Sequence, residues 1–172
     1  MNRSSAKPWH VIRHREDKFL LYAAINPEYP DQREFVLAHI SSLQVAHATQ
    51  TVLNQLWEAL LKCKNLSGEH HTEEAQEIVQ QRFMFMDRAL TVALTNARRV
   101  TPFIPRIGSP LLQKTFSFLV QQAQTCHQLI KEYQQITHEH RTFVGFRRIY
   151  DQAKDVPEYL RELYRSQTMI KH

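Results

Sequence analysis

The stretch WHVIRHREDKFLLYAAI, residues 9–25, decides whether this chain is entirely helical, because it fits two patterns. It can form a helix that begins at Pro8, or a small β-hairpin that turns at RED, residues 15–17. Two strands alone are marginally stable in water. The sequence therefore favours the helix, with the hairpin as the alternative. The following segment NPEYPDQ, residues 26–32, breaks either element.

Long helices are expected where glycine and proline are missing. The chain has three glycines, and no proline lies between Pro30 and Pro102 or between Pro110 and Pro157. In the first interval apolar residues such as Val36 and Ile40 recur at three- and four-residue steps, which predicts a first helix over about 31–64. A second helix is predicted from Thr72 to about 98–99, with an apolar arc wide enough to contact more than one neighbour.

A third helix is predicted to begin at Ser109 and Pro110, which are good residues for an N-cap and a first turn. It ends near His138 or continues through Gly145 to Tyr150. The segment DVPEYLRELYR, residues 155–165, predicts a last short helix. We therefore expect an all-α fold, an antiparallel up-down bundle of three long helices with shorter terminal ones, in a single domain over 1–172 whose residues 1–30 form an N-terminal arm.

Composition predicts a cytoplasmic protein. No apolar run reaches the roughly 20 residues that span a bilayer, and the N-terminus has no apolar core of a signal peptide. Cys63 and Cys126 lack metal-binding spacing and are expected to be small buried thiols. The formal net charge of +5 favours anionic partners.

Motifs for several enzyme classes are absent. None of the three glycines lies in a dinucleotide- or phosphate-binding loop, and the chain has no GxSxG, HExxH or paired Glu-x-x-His motif. His10 and His14 lie one helical turn apart if that segment is helical, without a carboxylate to complete a metal site. We expect no metal, no cofactor and, on balance, no enzyme.

Arg33 and His39 have the Arg-x4-6-His spacing used by the helical HEPN ribonucleases, which this short stretch resembles over seven residues. The resemblance implies a guanidinium that stabilises phosphate charge and an imidazole that moves the 2′-hydroxyl proton. The residue after the arginine is Glu34, where that family has Asn, Asp or His. A HEPN-like ribonuclease is the third functional hypothesis.

A long acid-free interval carries the main candidate site. No acid lies between Asp87 and Glu132, an interval that contains six basic residues. The loop between the second and third helices, NARRVTPFIPRIGSP at 96–110, should therefore be positively charged, with a free helix N-terminus at which an anion could bind. The candidate binding residues here are Arg98, Arg99, Phe103, Arg106 and Lys114.

A second basic cluster, interspersed with aromatic residues, is predicted at the opposite end of the bundle. Its candidate binding residues are Arg141, Arg147, Arg148, Arg161 and Arg165. Arginine and aromatic side chains are favoured at protein interfaces and also bind single-stranded nucleic acid. The leading hypothesis is a non-catalytic adaptor, regulator or subunit that docks on a larger protein. The alternative is a nucleic-acid-binding accessory protein that uses the surfaces around 98–114 and 141–165. No membrane partner is expected, and a homodimer remains open.

Overall fold

The computed structural model describes residues 7–24, 35–68, 76–136 and 139–170, excluding the side chains of 76, 139–141 and 167–170. Three strands come first: β1 (Trp9–Arg15), β2 (Lys18–Ala23) and β3 (Phe35–Ile40). The helices are α1 (Leu43–Gly68), α2 (Gln76–Val100), α3 (Ile104–Ile107), α4 (Pro110–Tyr133), α5 (Glu139–Ala153) and α6 (Val156–Ile170), with a 3-10 turn (Thr101–Phe103) before α3.

The prediction of an all-α helical bundle is wrong, because the first three elements form an antiparallel sheet in the order β1-β2-β3. The hairpin alternative for residues 9–25 is the correct one, and its turn falls at Glu16 and Asp17. A two-stranded hairpin would have been marginal alone. The third strand that supports it comes from residues assigned to the first helix.

Strand β3 was mistaken for helix because a β-bulge disturbs its alternation. Leu21 pairs with Ala38 while the next residue, Tyr22, pairs with Val36, so Leu37 has no partner. As a result Leu37 and Ala38 are both buried. A strand with two adjacent buried residues loses the period of two by which strands are recognised.

The inner face of the sheet packs against α1 and carries the large apolar residues of the strands. Trp9 and Leu21 are completely buried, and the Trp9 ring meets the Trp57 ring of α1 edge to face at 5.6 Å. The outer face carries His10, Tyr22 and His39, and the rings of His10 and Tyr22 stack at 5.4 Å. The sheet therefore buries one face on the helices and leaves the other partly exposed.

A polar clamp fixes the edge strand β1 to α1. The Trp9 backbone N–H donates to Asn54 Oδ1 at 3.1 Å, and Asn54 Nδ2 donates to the Trp9 carbonyl at 3.0 Å. Gln50 Nε2 donates to the same carbonyl at 3.1 Å. The side chains of α1 thus take the place of a fourth strand and satisfy buried backbone groups that an edge strand leaves unpaired.

Four helices form the second layer. α1 lies between α2 and α5, and α4 contacts the same two helices from the other side. The rings of Phe83 in α2 and Phe146 in α5 stack at 4.6 Å in its interior. The three longest helices, α1, α2 and α4, have 24 to 26 residues and are shorter than predicted. In α1 the difference arises because strand β3 contains residues that were assigned to the start of the first helix.

The predicted start of the third long helix is confirmed: Ser109 caps α4 by accepting a hydrogen bond from the Leu112 amide. The Ser109 hydroxyl also donates to the Leu37 carbonyl, which ties α4 to the sheet. The alternative in which this helix runs on to Tyr150 is wrong, because α4 ends at Tyr133 and α5 is a separate helix. Thr72, the predicted N-cap of the second helix, lies outside the described residues.

We predict that Asn54→Ala lowers the free energy of unfolding by about 2–3 kcal/mol, because it leaves the buried Trp9 amide without an acceptor. Asn54→Leu, which keeps the volume, should lose nearly as much. Urea unfolding monitored by circular dichroism measures both. The matched control is Asn96→Ala, which removes only a half-buried bond to Gln55 and should cost about 0.5–1 kcal/mol. Equal losses at both asparagines would contradict the clamp.

We also predict that Gly145→Ala destabilises the protein, although alanine is the better helix former by about 1 kcal/mol. A Cβ at this position would lie 2.6 Å from Cγ of Tyr133, where α5 crosses α4. Such overpacking costs about 1–3 kcal/mol. Thermal unfolding measures the change, with Ala48→Gly on the exposed side of α1 as the control for helix propensity. A stabilised Gly145→Ala variant would show that the two helices can separate without cost.

Candidate functional site

The junction between α2 and α4 is a compact, defined segment. Pro102 and Pro105 occupy early positions of the 3-10 turn and of α3, where a missing N–H is tolerated. Ile104 is buried and anchors the segment. Gly108 ends α3 with a φ of 75°, a left-handed conformation that glycine adopts without strain, and Ser109 then caps α4. The side chains of the acid-free interval are therefore held on regular structure.

We call Arg98, Arg99, Phe103, Arg106 and Lys114 the junction surface. All five side chains are exposed, and Phe103 keeps 39% of its surface accessible. Among the described residues none of its four cations forms an ion pair. Within the described part of the chain, their positive charge is therefore not neutralised by an acidic side chain.

The second basic cluster differs because three of its arginines have acidic neighbours. Arg147 lies 3.5 Å from Asp151, and Arg161 lies 3.2 Å from Glu158. Arg148 lies 3.7 Å from Glu132 and donates to the Tyr133 hydroxyl at 2.8 Å, a hydrogen bond that raises the pKa of Arg148. Arg165 is exposed, and the side chain of Arg141 lies outside the described residues.

The arginines of the second cluster lie at different levels along α4. The sequence had predicted them together at one end of the bundle. Arg148 lies at the end of α4, beside Tyr133. On α6, by contrast, the Tyr164 hydroxyl lies 2.9 Å from Thr115 Oγ1, near the beginning of α4. Because α5 and α6 together run back along α4, Arg165 lies near the level of Lys114. The four arginines of this cluster whose side chains are described do not form one continuous surface.

A surface that the sequence analysis assigned to packing is exposed on α2. Ile78, Phe85 and Val92 keep 46%, 49% and 50% of their side-chain surface accessible. They follow one another at seven-residue steps, and Arg99 is the next residue in that series. Seven residues make nearly two helical turns, so these side chains form one stripe along α2. We call Ile78, Phe85 and Val92 the α2 stripe.

The signal for this stripe was the wide apolar arc of α2. That arc predicted contacts with more than one neighbour, and α2 does contact both α1 and α4. The two contacts bury Phe83, Met86, Leu90 and Ala93 and leave the α2 stripe outside them. The sequence showed that the arc was too wide for one neighbour, but it could not show which part would remain uncovered.

The face of α2 toward α4 holds a polar pair and a groove. His127 Nε2 lies 2.8 Å from Asp87 Oδ1, and the Thr91 hydroxyl lies 3.3 Å from the same nitrogen. The carboxylate of Asp87, the last acid before the acid-free interval, is therefore paired with the His127 ring. From His127 a groove of about 740 Å³ extends to Arg98, with Phe116 and Val120 among its apolar lining residues.

The histidines of the sheet do not form a metal site. His10 and His14 lie on strand β1, not on the helix that their spacing would require, and the His14 ring lies 6.2 Å from that of His39. Within the described ranges no three His, Cys, Asp or Glu side chains are grouped so that they could hold a metal ion. His39 belongs to a strand, unlike the helical HEPN site, and Arg33 lies outside the described residues.

The two cysteines are buried and free, as expected. The Cys126 thiol, which contacts Cys63, and the burial of both residues raise the pKa of Cys63 well above its ordinary value. Cys63 on α1 is therefore a protonated packing residue at neutral pH and a poor nucleophile.

Comparisons with known proteins give no match. No family model matches the chain, and neither a curated protein nor a solved structure is detectably similar to it. None of the helices in the described ranges is long and apolar enough to cross a membrane.

The contrast between the two basic clusters predicts different effects on stability. Arg148→Gln should lower the thermal midpoint, because it removes the donor to the Tyr133 hydroxyl and a guanidinium 5.7 Å from the ring. Arg98→Gln and Arg99→Gln should change the free energy of unfolding by no more than about 0.5 kcal/mol. Differential scanning calorimetry measures all three. If Tyr133→Phe lowers the midpoint as much in the Arg148→Gln variant as in the unchanged protein, the two side chains are not coupled.

Proposed function

We propose that this protein is a non-catalytic cytoplasmic adaptor, regulator or subunit that docks on a larger protein. The docking surface consists of the α2 stripe and the junction surface to which it leads. The observation that carries the proposal is the exposure of three large apolar side chains in a row on one helix. Exposed apolar side chains that share one face of a helix are typical of a helix that docks against a partner.

The arrangement of the two surfaces supports a helical partner segment. Arg99 lies 21 residues after Ile78, which corresponds to about 32 Å along the helix. A partner helix of similar length could place apolar residues on Ile78, Phe85 and Val92 and acidic residues on Arg98 and Arg99. Apolar contact would supply most of the affinity. The charges would fix the direction of the partner helix on α2 and increase its rate of association.

The same observation favours a protein over a nucleic acid. A nucleic-acid surface follows the phosphate backbone with cations and stacks bases on aromatic rings. The α2 stripe offers one aromatic ring between two aliphatic side chains, and Arg147, Arg148 and Arg161 of the second cluster have acidic neighbours. The cytoplasmic location is supported by the two free thiols, which persist in a reducing compartment.

The test uses a photo-crosslinking amino acid in place of Arg88, an exposed α2 residue between Phe85 and Val92. A protein crosslinked in native extract is identified by mass spectrometry, purified and titrated against the untagged protein by calorimetry.

We expect Phe85→Ser/Val92→Ser to abolish binding to that purified protein and Arg98→Glu/Arg99→Glu to weaken it about tenfold or more. Ile12→Ser/Leu43→Ser, which replaces two other exposed apolar side chains, should bind normally.

Three results would overturn this proposal. One is equal loss of binding in the Ile12→Ser/Leu43→Ser control. Another is a concentration-dependent dimer by analytical ultracentrifugation that Phe85→Ser/Val92→Ser disrupts, since a second copy would then occupy the stripe. The third is tight binding of single-stranded RNA that falls steeply between about 50 and 200 mM salt and is lost in Arg98→Glu/Arg99→Glu, which would favour the nucleic-acid alternative.

A further inference from the structure

A second cavity lies between the sheet and the α2–α4 junction and brings together residues far apart in the sequence. Its volume is about 320 Å³. One wall is formed by Lys18 at the start of β2 and His39 near the end of β3. Phe103 and Arg106, from the 3-10 turn and α3, also line the cavity. We call this cavity the sheet–junction pocket.

The polar groups of the pocket favour an anion. Lys18 and Arg106 form no ion pair among the described residues, and none of the described side chains that line the cavity is a carboxylate. His39 and the hydroxyls of Ser41 and Ser42 add hydrogen-bonding groups. A phosphate oxygen accepts strong charge-assisted hydrogen bonds from lysine and arginine.

The helix that begins at the rim of the pocket adds to this preference without deciding it. α1 starts at Leu43, directly after Ser41 and Ser42, and has no acid in its first turn. Ser42 uses its hydroxyl to accept the Val45 amide at 3.3 Å, which fixes the course of the chain into the helix. The partial positive charge of the helix N-terminus is therefore not cancelled by an acidic side chain of that turn.

The remaining lining is apolar and determines what can carry the anionic group. Ile40, Val45 and Ile107 line the cavity together with the ring of Phe103. A bare inorganic ion would leave these surfaces in contact with water, whereas an organic group attached to the phosphate would cover them. The volume lies at the small end of the range for ligand sites.

From this geometry we infer that the sheet–junction pocket binds a phosphate monoester carried on a small aromatic or apolar group. Lys18 and Arg106 bind the phosphate, and Phe103 and Ile107 contact the organic group. The inference does not require the proposed docking function, because Lys18 and His39 belong neither to the α2 stripe nor to the junction surface. Arg106 and Phe103 belong both to the pocket and to the junction surface.

The experiment titrates the full-length protein with phenyl phosphate, inorganic phosphate and benzoate, by calorimetry and by two-dimensional NMR at about 0.15 M salt. We expect phenyl phosphate to bind with a dissociation constant on the order of 1 mM or tighter, and more tightly than inorganic phosphate or benzoate. Lys18→Gln/Arg106→Gln should weaken it about tenfold or more. Both residues are exposed, so the variant is expected to fold, which circular dichroism verifies.

The matched control is Arg98→Gln/Arg99→Gln, which removes the same charge outside the pocket lining. It should change the affinity for phenyl phosphate by no more than about twofold, because neither side chain lines the pocket and exposed charges are partly screened at this ionic strength. Equal weakening by the two double variants would overturn the inference, since it would indicate diffuse attraction to a basic protein. Failure of phenyl phosphate to bind, or benzoate binding as tightly as phenyl phosphate, would also overturn it.

A further titration distinguishes the two sources of such a group. A short phosphotyrosine peptide that binds as tightly as phenyl phosphate indicates a phosphorylated side chain, and exclusion of the peptide indicates a free small molecule. The docking test gives a separate result, because Phe85→Ser/Val92→Ser should leave phenyl phosphate binding unchanged and Lys18→Gln leaves the α2 stripe intact. Each of the two proposals can therefore fail alone.

Discussion

The pairing of Asn54 with the backbone of Trp9 is the interaction on which the arrangement of the two layers depends. An edge strand with a buried end would leave an amide and a carbonyl unsatisfied, at a cost of about 1–3 kcal/mol for each group. One side-chain amide of α1 satisfies both, at 3.1 and 3.0 Å. Because the clamp fixes β1, and β1 fixes β2 through the ladder, the position of Lys18 relative to the helices follows from it. The sheet–junction pocket exists only while the two layers keep this arrangement.

The distribution of acids along the chain explains a difference between the two basic clusters. Among the described residues the cations of the junction surface form no ion pair, whereas Arg147, Arg148 and Arg161 of the second cluster do. α2 and α4 are neighbours joined by a short junction, so the acid-free parts of both helices lie side by side. A cation on either helix therefore meets no carboxylate on the other between Asp87 and Glu132. Arg147 on α5 and Arg161 on α6 have Asp151 and Glu158 within four residues on their own helices. Exposed pairs of this kind contribute little to stability, but they reduce the charge offered to a partner.

Local signals in the sequence predicted the elements that depend on local interactions. The cap at Ser109, the end of α2 just after Arg98 and Arg99, and the burial of both cysteines were predicted correctly. The hairpin was the alternative for residues 9–25, but the third strand was missed because it contains a bulge at Leu37 and has Val36 and Ile40 four residues apart, as a helix would. The junction surface was found because its residues are contiguous. Lys18 was not predicted to lie beside the junction surface, because only the formation of the sheet places β2 close to α3.

The combination of an apolar stripe and a cationic end on one helix restricts the kind of partner that α2 can accept. An apolar stripe alone would bind any amphipathic helix in either direction, and unpaired cations alone would bind any polyanion. On α2 the apolar side chains occupy the first two thirds and Arg98 and Arg99 occupy the last turn. A partner helix that satisfies both parts has its acidic residues at one end only, so the reversed orientation leaves cations against apolar groups. In the docking that we propose, the order of residues along α2 therefore selects the direction as well as the partner.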